Sequence, residues 1–322
     1  MRKTMVVLVM LASVLVIPAG LGFGQDYSFE DVESDMEALA QSISDLIGPN
    51  IGSMTFLGDP VGFSTVPHFS VGVGGGAVLV PLDAVKSSNL DLNLGDLAYT
   101  PIPAIGANGR ANIKGFELGV KVAGIPSIKV EGARINSLIL GGKVRYRLLD
   151  KKMVLVRLGA SVGAFYEYTT GSLAFTDSDT MTVYADADGD GQEDDHVADL
   201  TTEAGLETSW SGSTVGAEAQ GNVKILFFNI FAGGRLSKSF GSADTTTSGS
   251  TTLEDADDTD GFTVEDDTQE VTVSTSAIPG DLDTMVFGGV EFKILPINIV
   301  ARGSYNFKNE NLTADLGARL QF

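Results

Sequence analysis

The last twelve residues of the chain constrain its fold more than any other stretch. Leu312, Ala314, Leu316, Ala318, Leu320 and Phe322 fall on one side of an extended strand, and Thr313, Asp315, Gly317, Arg319 and Gln321 on the other. Side chains in a strand point alternately to opposite faces, so this is one greasy face and one polar or charged face. The pattern recurs upstream. Val154 to Tyr168 alternates apolar residues with Arg157, Gly159, Ser161, Gly163 and Glu167. Val215 to Ile225 opposes Glu218, Gln220, Asn222 and Lys224, and Ile297 to Phe307 opposes Asn298, Arg302, Ser304 and Asn306. Charges at alternate positions cannot face a dry core, and the apolar positions are too continuous for a wet surface. A strand with lipid on one side and a polar lumen on the other meets both conditions.

Candidate strands cover 66–80, 97–107, 115–123, 136–149, 153–169, 208–226, 229–240, 285–294, 297–307 and 312–322. This predicts an all-β membrane protein, an antiparallel transmembrane barrel of about ten strands, with eight or twelve as alternatives. Pro101 and Pro103 remove ladder donors and make 97–107 a kinked strand. With Phe322 at the periplasmic end, the short connections at Leu295-Pro296, Phe227-Phe228, Asp150–Lys152 and 108–114 share one side. The long ones share the other, including the acidic loops 171–206 and 241–284. The 39 Gly and a mean hydropathy of +0.15 suit a wall that meets lipid.

The N-terminal part reads differently. Arg2 and Lys3 precede an apolar run from Met5 to Ile17, and Gly22-Phe23-Gly24 offers small residues for cleavage before Gln25, so residues 1–24 read as a signal peptide. Residues 25–65 form a periplasmic segment. Within it, Phe29, Val32, Met36, Leu39, Ile43 and Leu46 make an apolar stripe on a helix over Ser28–Ile47, capped by Ser28 with Asp31. Its other face carries Glu33, Asp35 and Glu37, and it is expected to plug a barrel spanning 66–322.

The formal net charge of −21 over 322 residues excludes a basic stripe for nucleic acid. There is no Lys or Arg between Arg157 and Lys224, nor between Lys238 and Lys293. In the first of these gaps Asp186, Asp188, Asp190, Gln192 and Asp194 follow the opening of a calcium loop around Gly189, with Val197 where a bidentate Glu normally stands. Weak calcium binding and a solvated acidic tip are both open; no other cofactor is expected. Cys is absent, and His68 and His196 are the only histidines. A Ser/His/acid site needs an oriented imidazole, which predicts that the chain is not an enzyme.

The inward faces collect cations. Lys143, Arg145, Arg147, Arg157, Lys224, Arg235, Lys293, Arg302 and Arg319, with Lys121, share the polar sides of their strands with Glu117, Glu167, Glu218, Glu291 and Asp315. Phe165, Phe231 and Phe287, with Ile139 and Leu155, add apolar patches to the same side.

The alternating strand ending in Phe322 resembles the C-terminal signature of Gram-negative outer-membrane barrels. That resemblance implies delivery by the barrel assembly machinery, outer-membrane lipid as surroundings and an outer-membrane location. The segment before the first strand, followed by Tyr99-Thr100-Pro101-Ile102-Pro103-Ala104-Ile105-Gly106-Ala107-Asn108, resembles the long-chain fatty-acid outer-membrane transporter family. This implies an N-terminal plug, a kinked inward strand and a hydrophobic ligand. The chain has fewer strands than that family and no Asn-Pro-Ala near the mature N-terminus. The expected function is a porin-like plugged channel or transporter for a small apolar or amphipathic solute. The alternative is a structural or surface-interaction barrel with a packed lumen and acidic loops.

Overall fold

The computed structural model describes residues 67–81, 99–130, 133–185, 195–255, 267–277, 282–294, 296–308 and 310–322. The expected signal peptide over 1–24, the Ser28–Ile47 segment with Glu33, Asp35 and Glu37, and residues 186–194 lie outside the described residues.

The described chain is all strand: β1 (His68–Pro81), β2 (Tyr99–Ile113), β3 (Phe116–Val130), β4 (Ala133–Lys152), β5 (Val156–Ala185), β6 (Asp195–Ile225), β7 (Phe228–Asp255), β8 (Asp267–Ala277), β9 (Leu282–Ile294), β10 (Ile297–Asn306) and β11 (Leu312–Gln321). Each pairs antiparallel with its neighbour. β1 meets β11, with Ser70 opposite Gln321 and Gly74 opposite Gly317, which closes a ring of ten strands. β8 stands outside that ring. β7 pairs with β9 from Phe228 to Lys238 and with β8 only from Ala243 outward. The final Phe322 completes the seam, its amide donating to the Phe69 carbonyl at 2.9 Å and its own carbonyl accepting from the Phe69 amide.

Burial follows the period of two around the whole ring. On β10, Ile297, Ile299, Ala301 and Gly303 are exposed, while Asn298, Val300, Arg302 and Asn306 are buried. On β4, Val144 and Tyr146 face out and Arg145 is buried. The exposed aromatics form two girdles. Phe69, Phe116, Tyr146, Phe227, Phe228 and Phe322 ring the short-turn end; Tyr166, Tyr168, Phe240 and Phe307 lie higher. Roughly ten residues separate the girdles along a strand. At ~3.3 Å per residue and a tilt of about 40°, that rises about 25 Å, the height of a barrel's apolar band.

The short turns share the lower end. Lys114 and Gly115 both hold positive φ, 50° and 90°, as a two-residue hairpin requires. Leu226, at φ 54°, does the same between β6 and β7. The β4–β5 turn falls at Met153–Leu155 rather than at Asp150–Lys152, because a bulge between Arg147 and Leu149 carries β4 further. β2 is a full member of the sheet and runs past the expected break at Ala107. Its prolines sit opposite Leu79 and Ala77 of β1, beyond the point at Ile105 where pairing with β3 ends, so no β3 carbonyl loses a donor there.

The largest departure concerns the acidic regions. Much of 171–206 and 241–284, expected as loops, is strand: β5 has 30 residues, β6 31 and β7 28. A membrane crossing needs about 9–11. The outer parts of β5, β6 and β7, with β8, therefore stand beyond the upper girdle as a four-stranded sheet, a blade.

Candidate functional site

Inside the ring, the long polar side chains pair along and between neighbouring strands and, in places, with strands further round the ring. Lys121 on β3 contacts Glu167 on β5 at 3.0 Å, and Glu167 contacts Arg235 on β7 at 3.1 Å. β3 and β7 are four steps apart in a ring of ten, so this chain of charges is a chord across the lumen. Arg145 on β4 is a second hub. Its Nε and Nη2 donate to Glu117 on β3, its Nη1 donates to Gln220 on β6 at 2.8 Å, and Glu218 lies 3.5 Å away. A third group joins Arg319 on β11 and Lys293 to Glu291 on β9, which also accepts from Asn229 at 3.0 Å. Arg302 donates twice to one oxygen of Asp315, at 2.8 and 2.6 Å. Glu117, Glu167 and Arg145 are each 1% exposed and Glu291 0%. Removing one partner from such a pair leaves an uncompensated buried charge and costs about 3–5 kcal/mol.

The aromatic residues fill space in a regular way. Phe165 stands directly opposite Gly216, Trp210 opposite Gly171, Phe231 opposite Gly289 and Phe287 opposite Gly233. In each pair the ring lies where a Cβ on the glycine would be, so only glycine admits it. Phe231, Phe287 and Val300 also pack as one buried cluster. Arg235 lies over the Phe165 ring at 3.5 Å from its centre, which joins the aromatic packing to the charge chord. Phe165, Phe231 and Phe287 are buried on the inner side, each against the glycine opposite.

Near the lower girdle the lumen opens to a mouth. Asp150 accepts from Arg157 at 2.6 Å through both oxygens and from Arg147 at 3.0 Å. The Arg157 guanidinium holds the Asp150 carboxyl below the ordinary aspartate value. Lys224 stands opposite Arg157 in the β5–β6 ladder. Leu155, expected to point inward, lies in the turn and is exposed, because the turn falls three residues later than the spacing suggested. His68 and Ser70 are both buried on the inner face of β1 near this end.

Sequence reasoning missed Arg110. It is buried on β2, three residues past the expected end of that strand, on the same face as Asn108 and Asn112. The signal was present: Asn108, Arg110 and Asn112 alternate with Gly109 and Ala111, but the glycines suggested a turn. Asn108, Arg110, Lys121, Lys143 and Glu167, with Gly119 and Gly141, line a small, partly open hollow. The smaller residues of β1–β4 leave this space, whereas Phe165, Phe231 and Phe287 occupy the opposite wall.

A closed antiparallel ring, greasy outside between two aromatic girdles and charged inside, is a small outer-membrane β-barrel. The chain belongs to the Lsa36-like family, whose profile matches residues 34–322. No curated protein matches it. Among solved structures, the outer-membrane protease OmpT of Escherichia coli is similar at 9% identity, covering 82% of this chain and 99% of that one, with a TM-score of 0.36. Ail, the attachment invasion locus protein of Yersinia pestis, is similar at 14% identity over 79% of this chain and 98% of its own, TM-score 0.23. The outer-membrane protein Omp33 of Acinetobacter baumannii is similar at 12% identity over 79% and 99%, TM-score 0.27. These likenesses assign neither activity nor ligand.

Two expectations are corrected here. The fatty-acid transporter resemblance finds no support; the family is the Lsa36-like one. The reading that the chain is not an enzyme is withdrawn: a protease stands among the similar barrels, and a likeness this distant assigns this chain neither that activity nor its absence.

Proposed function

We propose that this protein is a sealed outer-membrane anchor that carries an acidic β-blade for contact with an extracellular partner. The observation that carries the reading is the Lys121–Glu167–Arg235 chord, buried and spanning the lumen. A ten-strand barrel encloses little more than its own side chains. Here those side chains are tied together by charge and packed against glycines, which argues against a continuous solute path. The blade supplies the contact surface. Glu203, Glu207 and Asp244 are exposed on it, and no Lys or Arg occurs between Lys238 and Lys293 to offset them. Its partner is therefore a cationic surface or one bridged by divalent cations. Residues 186–194 lie between β5 and β6 in the chain, and calcium held by their carboxylates would supply such a bridge. Calorimetric titration against an Asp188→Asn/Asp190→Asn variant tests it, and equal heats discard it. Phe322 at the seam offers its ring, 74% exposed, to the barrel assembly machinery and then to outer-membrane lipid.

A second reading, a plugged channel for a small apolar or amphipathic solute, is favoured by one feature. Luminal cations outnumber luminal carboxylates: Arg110, Lys143 and Lys224 come on top of the groups above, in which Arg147 and Arg157 share Asp150. The acidic segment bearing Glu33, Asp35 and Glu37 precedes β1, which enters the barrel at the short-turn end. That segment has the charge to neutralise the excess.

Planar-bilayer recording separates the two. The anchor reading expects silence from the intact chain and from a chain lacking residues 25–50. The plug reading expects the deletion to open steady conductance, and reversal of Glu33, Asp35 and Glu37 to Lys to open it in part. Steady conductance from the intact chain overturns the sealed lumen.

A further inference from the structure

The ring closes on itself, but the blade above it does not. β6 lies along β7 from Phe228 to Asp255, so β9 and β8 share the other edge of β7, β9 below and β8 above. β8 and β9 therefore stand in one line and run in the same direction, both antiparallel to β7. β10 covers β9 as far as Asn306 opposite Met285, and ends there. Among the described residues β8 pairs with β7 alone, from Asp267 opposite Leu253 to Ala277 opposite Ala243. Its second edge lies where a continuation of β10 would run. Successive residues of an antiparallel strand turn their N–H and C=O to opposite sides, so about half of the 11 residues of β8 turn both groups to that edge.

The blade ends on its other side at β5, and the two edges differ. Beyond Phe175, β5 pairs only with β6 among the described residues. That stretch has Asp177 and Asp179 in its sequence and a register shift between Val183 and Tyr184. Charges and bulges are the devices by which a strand edge avoids pairing with other chains. β8 shows neither over most of its length. Its ladder with β7 runs without a register shift, and Val271-Thr272-Val273-Ser274-Thr275-Ser276 holds no Pro, Gly or charged residue. Val and Thr also favour extended backbone.

We infer that the β8 edge takes up an extended, cationic peptide segment of the extracellular partner as a further strand, antiparallel to β8. This rests on the reading of the blade as the contact surface and adds how the partner is held. A row of outward N–H and C=O groups is matched by the backbone of another strand, whatever its side chains. Charge then selects among strands. The chain has no Lys or Arg between Lys238 and Lys293, and β8 begins with Asp267 and carries Glu270. A segment bearing Lys or Arg is drawn to that field, and an acidic one is repelled. The same field opposes a second copy of this chain. Copies standing the same way up in one membrane also present their β8 strands to each other only in the parallel sense, the weaker ladder. A mobile segment of another protein has no such constraint on its direction.

The test refolds the full chain in a neutral detergent and titrates it with three short fluorescent peptides. One alternates Thr and Lys, the second is the same peptide with every amide N-methylated, and the third alternates Thr and Glu. Methylation keeps the charge and removes every backbone donor. The Thr/Lys peptide should bind roughly tenfold more tightly than its methylated form, as a few net hydrogen bonds supply, and the Thr/Glu peptide should not bind. Amide exchange adds the location: alternate β8 amides should exchange fast in the free chain and slow on adding the Thr/Lys peptide. Thr272→Pro and Val273→Pro remove successive amides, one turned to β7 and one to the open edge, so at least one should weaken binding while the heat-dependent gel shift of the barrel persists. Equal binding of the methylated peptide overturns strand addition and leaves the acidic contact surface standing. Binding of none of the three overturns both. Slow exchange of every β8 amide in the free chain, or full affinity in both Pro variants, overturns the β8 edge as the site.

Discussion

β5, β6 and β7 each cross two environments, and their lower and upper halves are built from different residues on one continuous ladder. Below Tyr168 and Phe240, Val162, Ala164 and Tyr166 face lipid while Ser161, Phe165 and Glu167 face the lumen. Above, β7 reads Thr245-Thr246-Thr247-Ser248-Gly249-Ser250-Thr251-Thr252, and β6 contributes Thr201, Thr202 and Glu203. The backbone pairing is the same in both halves, with Glu218 opposite Arg235 and Glu203 opposite Ser250. What changes is the solvent. Between the girdles one face meets lipid and the other a nearly dry lumen, so the residues must alternate and every charge needs a partner. In the blade water serves both faces. Hydroxyl pairs such as Thr208 with Thr245 at 3.0 Å suffice near its base, and Glu203 is exposed further out.

The sharpest way to break this comparison is to remove one carboxylate from each half. Glu167→Gln leaves Lys121 and Arg235 facing each other in the lumen and should cost about 3–5 kcal/mol in urea unfolding from liposomes. Glu203→Gln in the blade should change the midpoint by less than about 0.5 kcal/mol. Equal losses would mean that the luminal pairs are solvated.

Charge added to the outer face gives the next largest contrast. Val144→Arg places a cation against hydrocarbon and should cost roughly 2–4 kcal/mol near the bilayer midplane. Ser178→Arg, at an exposed blade position of β5, should be close to neutral. Similar folding yields for both would place the membrane elsewhere on the strands.

Glycine separates filled space from open space. Gly216→Val collides with the Phe165 ring and with the Leu236 carbonyl. Overpacking of this kind costs about 1–3 kcal/mol. A Cβ at Gly221, on the outer face of the same strand, meets nothing within 4 Å, so Gly221→Ala should be neutral or slightly stabilising. Equal effects would show that the lumen has room to spare.

The smallest effect concerns the lower mouth. Because Arg157 and Arg147 lower the Asp150 pKa on folding, the carboxylate contributes stability at and above an ordinary aspartate pKa of about 3.9. That contribution disappears as pH falls through the lower, folded-state value. Asp150→Asn should therefore unfold slightly earlier than the intact chain at pH 7, and the two midpoints should converge in strong acid. Convergence instead on raising the pH would reverse the sign and remove the ion pair from the account.

Alternation was the legible part of this molecule, because it depends only on the geometry of a single strand and needs no knowledge of neighbours. Leu312 to Phe322 already separates a lipid face from a luminal one, and the same reading along ten segments implies a ring. The boundaries of the acidic regions were less legible: a Thr- and Ser-rich strand wetted on both faces has no period to detect, so the outer parts of β5–β8 read as loops. Arg110 stayed hidden for a related reason, since Gly106 and Gly109 mimic a turn when β3 is not there to pair with them.

Other features belong to the tertiary structure alone. That Lys121 meets Glu167, that Glu167 meets Arg235, and that Phe165 lies on Gly216 rather than on Gly212 depend on register between strands distant in sequence. A slip of one residue would turn each strand's charges from the lumen to lipid, and a slip of two would keep every side chain on its face while matching it with a different partner. Period two determines which way a residue points; only the closed ring decides what it touches.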